Sequence, residues 1–236
     1  MKIKINWQKL ANPVIVSVLA LVFFISTASF NYFTQDENYV KWTSPDETAN
    51  YFFSKEFAVT GQLSYFDPAA VIGDNMVMPR SLRSDAGWIK PVSFLGITLT
   101  YGSIGAILGA GVIPYLTPFF AAGGIIFFYL LISRLFNNKR IGLLSAFLLA
   151  SFPVYIYYTV RSMFHNVLFI VFLIIGVYFF TLALGEKRTV KIWEEIKTKF
   201  FSFKFERRRT VQIIMALLSG IFVGLAIITR TSEVIW

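Results

Sequence analysis

The chain has no cysteine and one histidine, His165, among its 236 residues. The first absence excludes a disulfide, a thiolate nucleophile and any Cys-ligated metal; the second excludes a multi-His metal site. Charge is scarce as well. Only 15% of residues are charged against 56% apolar, where a soluble domain carries about 25% charged and 45–50% apolar. The apolar excess is not spread evenly. It falls in runs of about 18–22 residues, the length that spans a hydrocarbon core ~30 Å thick. The chain therefore reads as all-α: a polytopic helical membrane protein.

The first apolar run covers residues 13–33, behind Lys2, Lys4 and Lys9. A basic flank and the small residues Thr27 and Ser29 suit a signal peptide. The run, however, continues through Phe30, Tyr32 and Phe33 into an aromatic belt, which favours an uncleaved anchor. Later runs cover 116–136, 141–158, 165–184 and 211–229. Residues 92–113 are apolar enough to span but contain Gly96, Gly102, Gly105, Gly109 and Gly111, with Pro114 following.

Charge placement decides how this segment is read. Residues 185–210 hold Lys187, Arg188, Lys191, Lys197, Lys199, Lys204 and Arg207 to Arg209, and the turn after Leu135 holds Lys139 and Arg140. If 92–113 does not cross, both basic segments share the cytoplasmic side with the N-terminus, as the positive-inside trend requires. The expectation is about five spans with a re-entrant or tilted segment at 92–115, covered by protein or water. The chain divides into a basic N-terminus 1–12, a first span 13–33, an outer loop 34–91, the apolar segment 92–115, three spans within 116–184, a basic loop 185–210 and a last span 211–236. The net charge of +9 is then a topology signal and not a nucleic-acid footprint. Residues 185–210 also interleave Ile192, Trp193, Ile196, Phe200, Phe201 and Phe203 with lysines. That pattern fits either a helix on anionic lipid or a solvated basic loop.

The outer loop holds most of the Asp and Glu: Asp36, Glu37, Asp46, Glu47, Glu56, Asp67, Asp74 and Asp85. Its aromatics, among them Trp42, Phe53, Tyr65 and Trp88, argue against disorder. Ser44-Pro45-Asp46-Glu47 reads as a helix start, with Ser44 as cap, Pro45 in the first turn and two carboxylates at the positive end of the dipole. Ala49, Phe52 or Phe53, and Phe57 share a face, and Gly61 stops the helix. This predicts a short amphipathic surface helix. Asp46 and Glu47 are either site carboxylates or simple complements to the dipole. Further on, Arg80, Arg83 and Lys90 stand close to the membrane, where they either clamp a phosphate or snorkel toward headgroups. Arg161, His165 and Arg230 lie at span ends on the outer side. Cations there run against the positive-inside trend, and with Arg80 and Lys90 they could build a cationic pocket for a lipid phosphate. His165 equally fits an interfacial hydrogen-bonding residue.

The Asp46-Glu47 pair in a first outer loop, the Gly-rich apolar segment, the span ending Arg134-Leu135-Phe136 before Asn137-Asn138-Lys139-Arg140, the Ser151-Phe152-Pro153 element and the outside Arg161 together resemble the N-terminal part of GT-C-type membrane glycosyltransferases. Protein O-mannosyltransferases and aminoarabinose transferases are examples. The resemblance implies transfer of a sugar from a polyprenyl-phosphate donor to a lipid, glycan or protein acceptor on the outer face. It implies that Asp46 acts as general base or holds a divalent metal, Mg or Mn, with Glu47 beside it. Arg80, Lys90, Arg161, His165 and Arg230 would hold the lipid phosphate. Relatives often carry an acidic residue shortly after the Arg that matches Arg161. Here His165 and Asn166 stand there, and Asp85 is the substitute candidate. Such proteins are usually longer, so the chain reads as an N-terminal portion. The competing expectation is a non-enzymatic polyprenyl-phosphate carrier or flippase-like subunit. A secondary transporter fits poorly, because the span centres lack charge.

Overall fold

The structure, a computed structural model, describes residues 7–34, 42, 44–76, 81–92, 95–185 and 207–230. In chain order the elements are α1 (Trp7–Phe33), α2 (Pro45–Thr60), β1 (Tyr65–Phe66), α3 (Pro68–Ile72), β2 (Leu82–Asp85), β3 (Trp88–Pro91), α4 (Leu95–Leu108), a 3-10 turn (Ala110–Val112), α5 (Ile113–Leu135), α6 (Lys139–Ser151), α7 (Pro153–Val160), α8 (His165–Ala183) and α9 (Arg207–Thr229). Among the described residues four stretches are long and apolar enough to cross a membrane: Asn12–Phe33, Ala110–Leu135, His165–Ala183 and Arg209–Thr229. The pair α6–α7, bent by 54°, makes a fifth if counted as one broken span.

The helices face one another along narrow stripes. On α1 the buried residues are Val16, Ala20, Phe23, Thr27 and Asn31, three or four apart, while Val14, Ile15, Val18, Leu21 and Val22 stay exposed on the other faces. That periodicity puts one ridge of α1 against α5 and leaves the rest for lipid. Helix α5 is the centre of the bundle: Ala121, Ile125 and Tyr129 pack with Val167, Val171 and Ile175 of α8 and with Ala146 and Ala150 of α6. Apolar burial gives little drive between helices in lipid, so close packing and interhelical hydrogen bonds must carry the association.

One such bond follows from a proline. Pro114 and Pro118 are four residues apart in α5. Pro118 has no N–H, so the Pro114 carbonyl lacks its helical donor. The fully buried Asn31 of α1 supplies one, its Nδ2 lying 2.9 Å from that oxygen. A proline also makes the α6–α7 bend. Phe152 is extended, with φ −71° and ψ 117°, and Pro153 opens α7. The residue before a proline is pushed out of the helical region, and Pro at the first helical position needs no N–H.

The Gly-rich segment is helical, and both of its ends lie at one end of the bundle. A Cβ on Gly96 would meet the backbone of Ile228 and Thr229 within 2.6 Å, so the start of α4 lies against the end of α9. Gly105, near the other end of α4, packs against Ile113, where α5 begins. In between, Gly102 lets the α2 residues Ser54 and Phe57 approach the α4 backbone. Asn31 at the end of α1 reaches the same start of α5. Helix α4 thus lies across the bundle end and does not run through it. The connections 136–138 and the flanks of 186–206 fall at the opposite end, where Arg134 Nη2 donates to the Thr181 carbonyl at 3.0 Å.

A small antiparallel sheet, in the order β1-β3-β2, sits beside α2. It is absent from the sequence expectations. Its hairpin turns at Ala86-Gly87, both with positive φ of 48° and 83°, the combination that two-residue hairpins need. The Phe53 side chain, with no exposure, joins Ala70 and Ile89 in the core beneath it.

Two outcomes are expected. In single-cysteine variants of this cysteine-free chain, Lys55→Cys on α2 and Lys139→Cys at the start of α6 label from opposite faces of the membrane. Labelling from the same face would refute five crossings. Asn31→Leu lowers thermal stability by about 1 kcal/mol, and the loss shrinks in a Pro118→Ala background, where the Pro114 carbonyl regains a helical donor. Equal losses in both backgrounds would disprove that account.

Candidate functional site

Helix α2 starts after Ser44, whose extended backbone is in the N-cap position but whose side chain makes no capping bond. The expected Ser44 cap is therefore absent: the chain enters through Pro45, and the Ser44 carbonyl accepts from Thr48 N–H and the Thr48 hydroxyl. Gly61 ends the helix at φ 72°, with its N–H on the Phe57 carbonyl, as expected for a left-handed C-terminal stop.

Successive residues of a helix point about 100° apart, and this separates the two neighbouring carboxylates. Glu47 points into the bundle and has no exposure. Arg161, just past α7, donates to it through two nitrogens, Nε to Oε1 at 2.8 Å and Nη2 to Oε2. The guanidinium sits 5.5 Å from the Phe164 ring centre and 5.9 Å from that of Tyr157, and its Nη1 faces the Tyr157 hydroxyl at 3.4 Å. A planar fork on a carboxylate, walled by rings, is the geometry in which arginine pairs best. Asp46 instead turns toward the loop. It is partly buried and accepts a hydrogen bond from the Ser81 hydroxyl, just before β2.

The turn after α7 is held on several sides. Asn50 of α2 donates from Nδ2 to the Met163 carbonyl at 2.8 Å. Thr117 of α5 donates to the Ser162 carbonyl. The Thr117 hydroxyl also lies 2.6 Å from that of Tyr101 on α4. Asn50, Tyr101, Thr117, Ser162 and Met163 are all essentially unexposed. These bonds fix Arg161 in place, and with it Glu47.

Of the residues singled out from sequence, Asp46, Glu47, Arg161, His165 and Arg230 fall at this end of the bundle. His165 is buried as the first residue of α8, and Arg230, just past α9, donates to Asn166 Oδ1 at 3.1 Å. Asp85 and Lys90 do not join them. They pair with each other across the hairpin, Nζ to Oδ2 at 3.5 Å, and both are largely exposed. Ser81 touches Asp46, but Asp85 is four residues farther along an extended strand, about 13 Å. Arg80, Asp36 and Glu37 lie outside the described residues. Sequence reasoning missed Ser81, Asn50 and the Tyr101–Thr117 link. Only the hairpin that presents Ser81 had a legible signal, the Gly87 turn between alternating residues.

Among the described residues no three His, Asp or Glu gather as a metal cage. Asp46 offers one carboxylate. A magnesium-type ion, which keeps waters and takes phosphate oxygens as ligands, needs only one or two. The donor set fits that kind of site and no all-protein one.

Residues 102–197 match the family model described as Dolichyl-phosphate-mannose-protein mannosyltransferase. The matched stretch runs from within α4 past α8 and includes Arg161 and His165, but not α2. No curated protein and no solved structure matches the chain. The family match supports a membrane glycosyltransferase of the GT-C type.

Breaking the Glu47–Arg161 pair strands a buried charge. Glu47→Leu or Arg161→Leu each costs about 3–5 kcal/mol of stability, read by thermal unfolding in detergent. The double variant loses clearly less than the two single losses combined. Strict additivity would show that the two side chains are not coupled.

Proposed function

We propose that the chain carries the carboxylate site of a membrane glycosyltransferase that moves a sugar from a polyprenyl-phosphate donor to a lipid, glycan or protein acceptor. The N-terminus and the basic segments lie in the cytoplasm in this reading, and the end bearing α2 faces outward. The observation that carries it is the division of labour between two adjacent carboxylates: Glu47 is sealed against Arg161, while Asp46 stays reachable at the bundle end.

The chemistry then runs as follows. The acceptor hydroxyl lies against Asp46, which takes its proton as the oxygen attacks the sugar C1. The bond from C1 to the acceptor oxygen forms. The bond from C1 to the donor phosphate oxygen breaks, and polyprenyl phosphate leaves with the electron pair. Cations stabilise that departing charge. Arg230 and His165 are the described candidates at this end; Arg80 is a candidate by sequence. Arg161 is a positioning residue here, because its fork is already on Glu47. A divalent ion on Asp46 would supply further charge neutralisation at the phosphate. Lys90 and Asp85 serve the hairpin in this account.

Asp46→Asn keeps the shape and removes the base. The expected result is a loss of sugar transfer of about 10²–10⁴-fold, with a melting temperature close to the parent's. Transfer is assayed in membranes with a polyprenyl-phosphate-linked sugar. Transfer unaltered by the substitution would sink the assignment of Asp46. Retained donor binding with no transfer by the parent chain would favour a non-enzymatic carrier.

A further inference from the structure

The seam between α1 and the bent α6–α7 pair opens to the outside of the bundle. Residues Val16, Ala20 and Phe23 turn α1 toward the core, so Ile15, Val18 and Val22 are left on the flank. Helix α6 likewise packs inward through Gly142, Ala146 and Ala150, leaving Leu144 and Phe147 as the other wall. Between the walls is a cavity of about 630 Å³ that includes Arg140 in its lining. A second of about 270 Å³ continues it past Ser26 and Thr27 to Ser151 and Ile156. The two share Leu19, Val22 and Phe147, so they form one groove.

Length and charge identify an occupant. From Ile15 to Thr27 the groove follows α1 for about 18 Å at 1.5 Å per residue, close to the ~15 Å of one leaflet's hydrocarbon. Every residue lining the larger compartment is apolar except Arg140. Arg140 stands at the bundle end opposite Asp46, with exposed Lys139 beside it. A cation lining the end of an apolar channel of leaflet length, with a second exposed cation next to it in sequence, complements a lipid with an anionic head. The sugar donor of the proposed reaction cannot be seated this way, since its phosphate must reach the other end.

We propose that this groove holds one anionic phospholipid of the leaflet on the Arg140 side. An acyl chain lies along the α1–α6 seam, and the phosphate rests on Arg140 with Lys139 alongside. The site stands whether or not the sugar-transfer reading does.

Native mass spectrometry of the full chain in mild detergent tests it, with phosphatidylglycerol and phosphatidylcholine of the same acyl chains as probes. The parent chain retains one phosphatidylglycerol more tightly than phosphatidylcholine. The double variant Lys139→Gln/Arg140→Gln weakens phosphatidylglycerol about tenfold, the worth of one charge-assisted hydrogen bond, and brings it level with phosphatidylcholine. Val18→Trp, at a site 53% exposed, fills the groove and weakens both lipids while leaving the melting temperature near the parent's. Equal retention of the two lipids by the parent would overturn the proposal. So would phosphatidylglycerol binding unchanged in either variant, as expected if the groove instead receives a protein segment.

Discussion

A glutamate with no exposure, at the end of an apolar bundle, has to be met by a full positive charge. Arg161 meets it with two nitrogens. The two residues are 114 apart in sequence, and their pairing ties helix α2, which lies outside the spans, to the turn between α7 and α8. The remaining contacts at that end of the bundle depend on that tie. Asn50 can reach the Met163 carbonyl only once α2 is docked, and the same turn presents the Ser162 carbonyl to Thr117. A buried ion pair of this kind adds little net stability over apolar residues, but half of one is very costly. Its contribution is to allow one arrangement of α2 and to penalise others.

The glycines of α4 serve the same docking. A helix crossing lipid alone gains nothing from Gly96, Gly102 and Gly105. A helix laid across the bundle end needs them, because the backbone of α9, the side chains of α2 and the start of α5 all approach within a Cβ's reach. The composition that makes 92–113 ambiguous as a span is therefore the composition its packing demands. Both ends of α4 lie at one end of the bundle, and 136–140 lies at the other, away from α2.

Much of this was legible in the chain because local physics writes it there. Apolar runs of membrane length mark the spans and Gly61 marks the end of α2, whereas the run 141–158, read in sequence as one span, is broken at Pro153 with a bend of 54°. What was illegible is relational. Arg161 and Glu47 each stood out as ionisable residues in unusual places, but nothing local says that they face each other and not a ligand. The same holds for Asn31, whose partner is a carbonyl deprived of its donor by Pro118 on another helix. Lys90 looks like a site residue in sequence because it stands close to the membrane, and Asp85 because the resemblance calls for a second carboxylate that is missing after Arg161. The hairpin folds them onto each other, and its Ala86-Gly87 turn is a local signal that was overlooked.

The geometry also constrains which carboxylate can do chemistry. A group that accepts two guanidinium nitrogens and sees no solvent has few lone-pair directions left, and moving it would unseat the turn it anchors. Asp46, one position earlier, is turned through about 100° and is met by a rotatable hydroxyl from Ser81. A hydroxyl can yield its place to another hydroxyl at small cost, because one hydroxyl-to-carboxylate hydrogen bond replaces another of similar strength. In the proposed reaction the acceptor alcohol is such a replacement. The adjacent pair thus combines a fixed carboxylate that holds the frame with an exchangeable one that faces the loop, and only the second can take a proton without dismantling the structure that positions it.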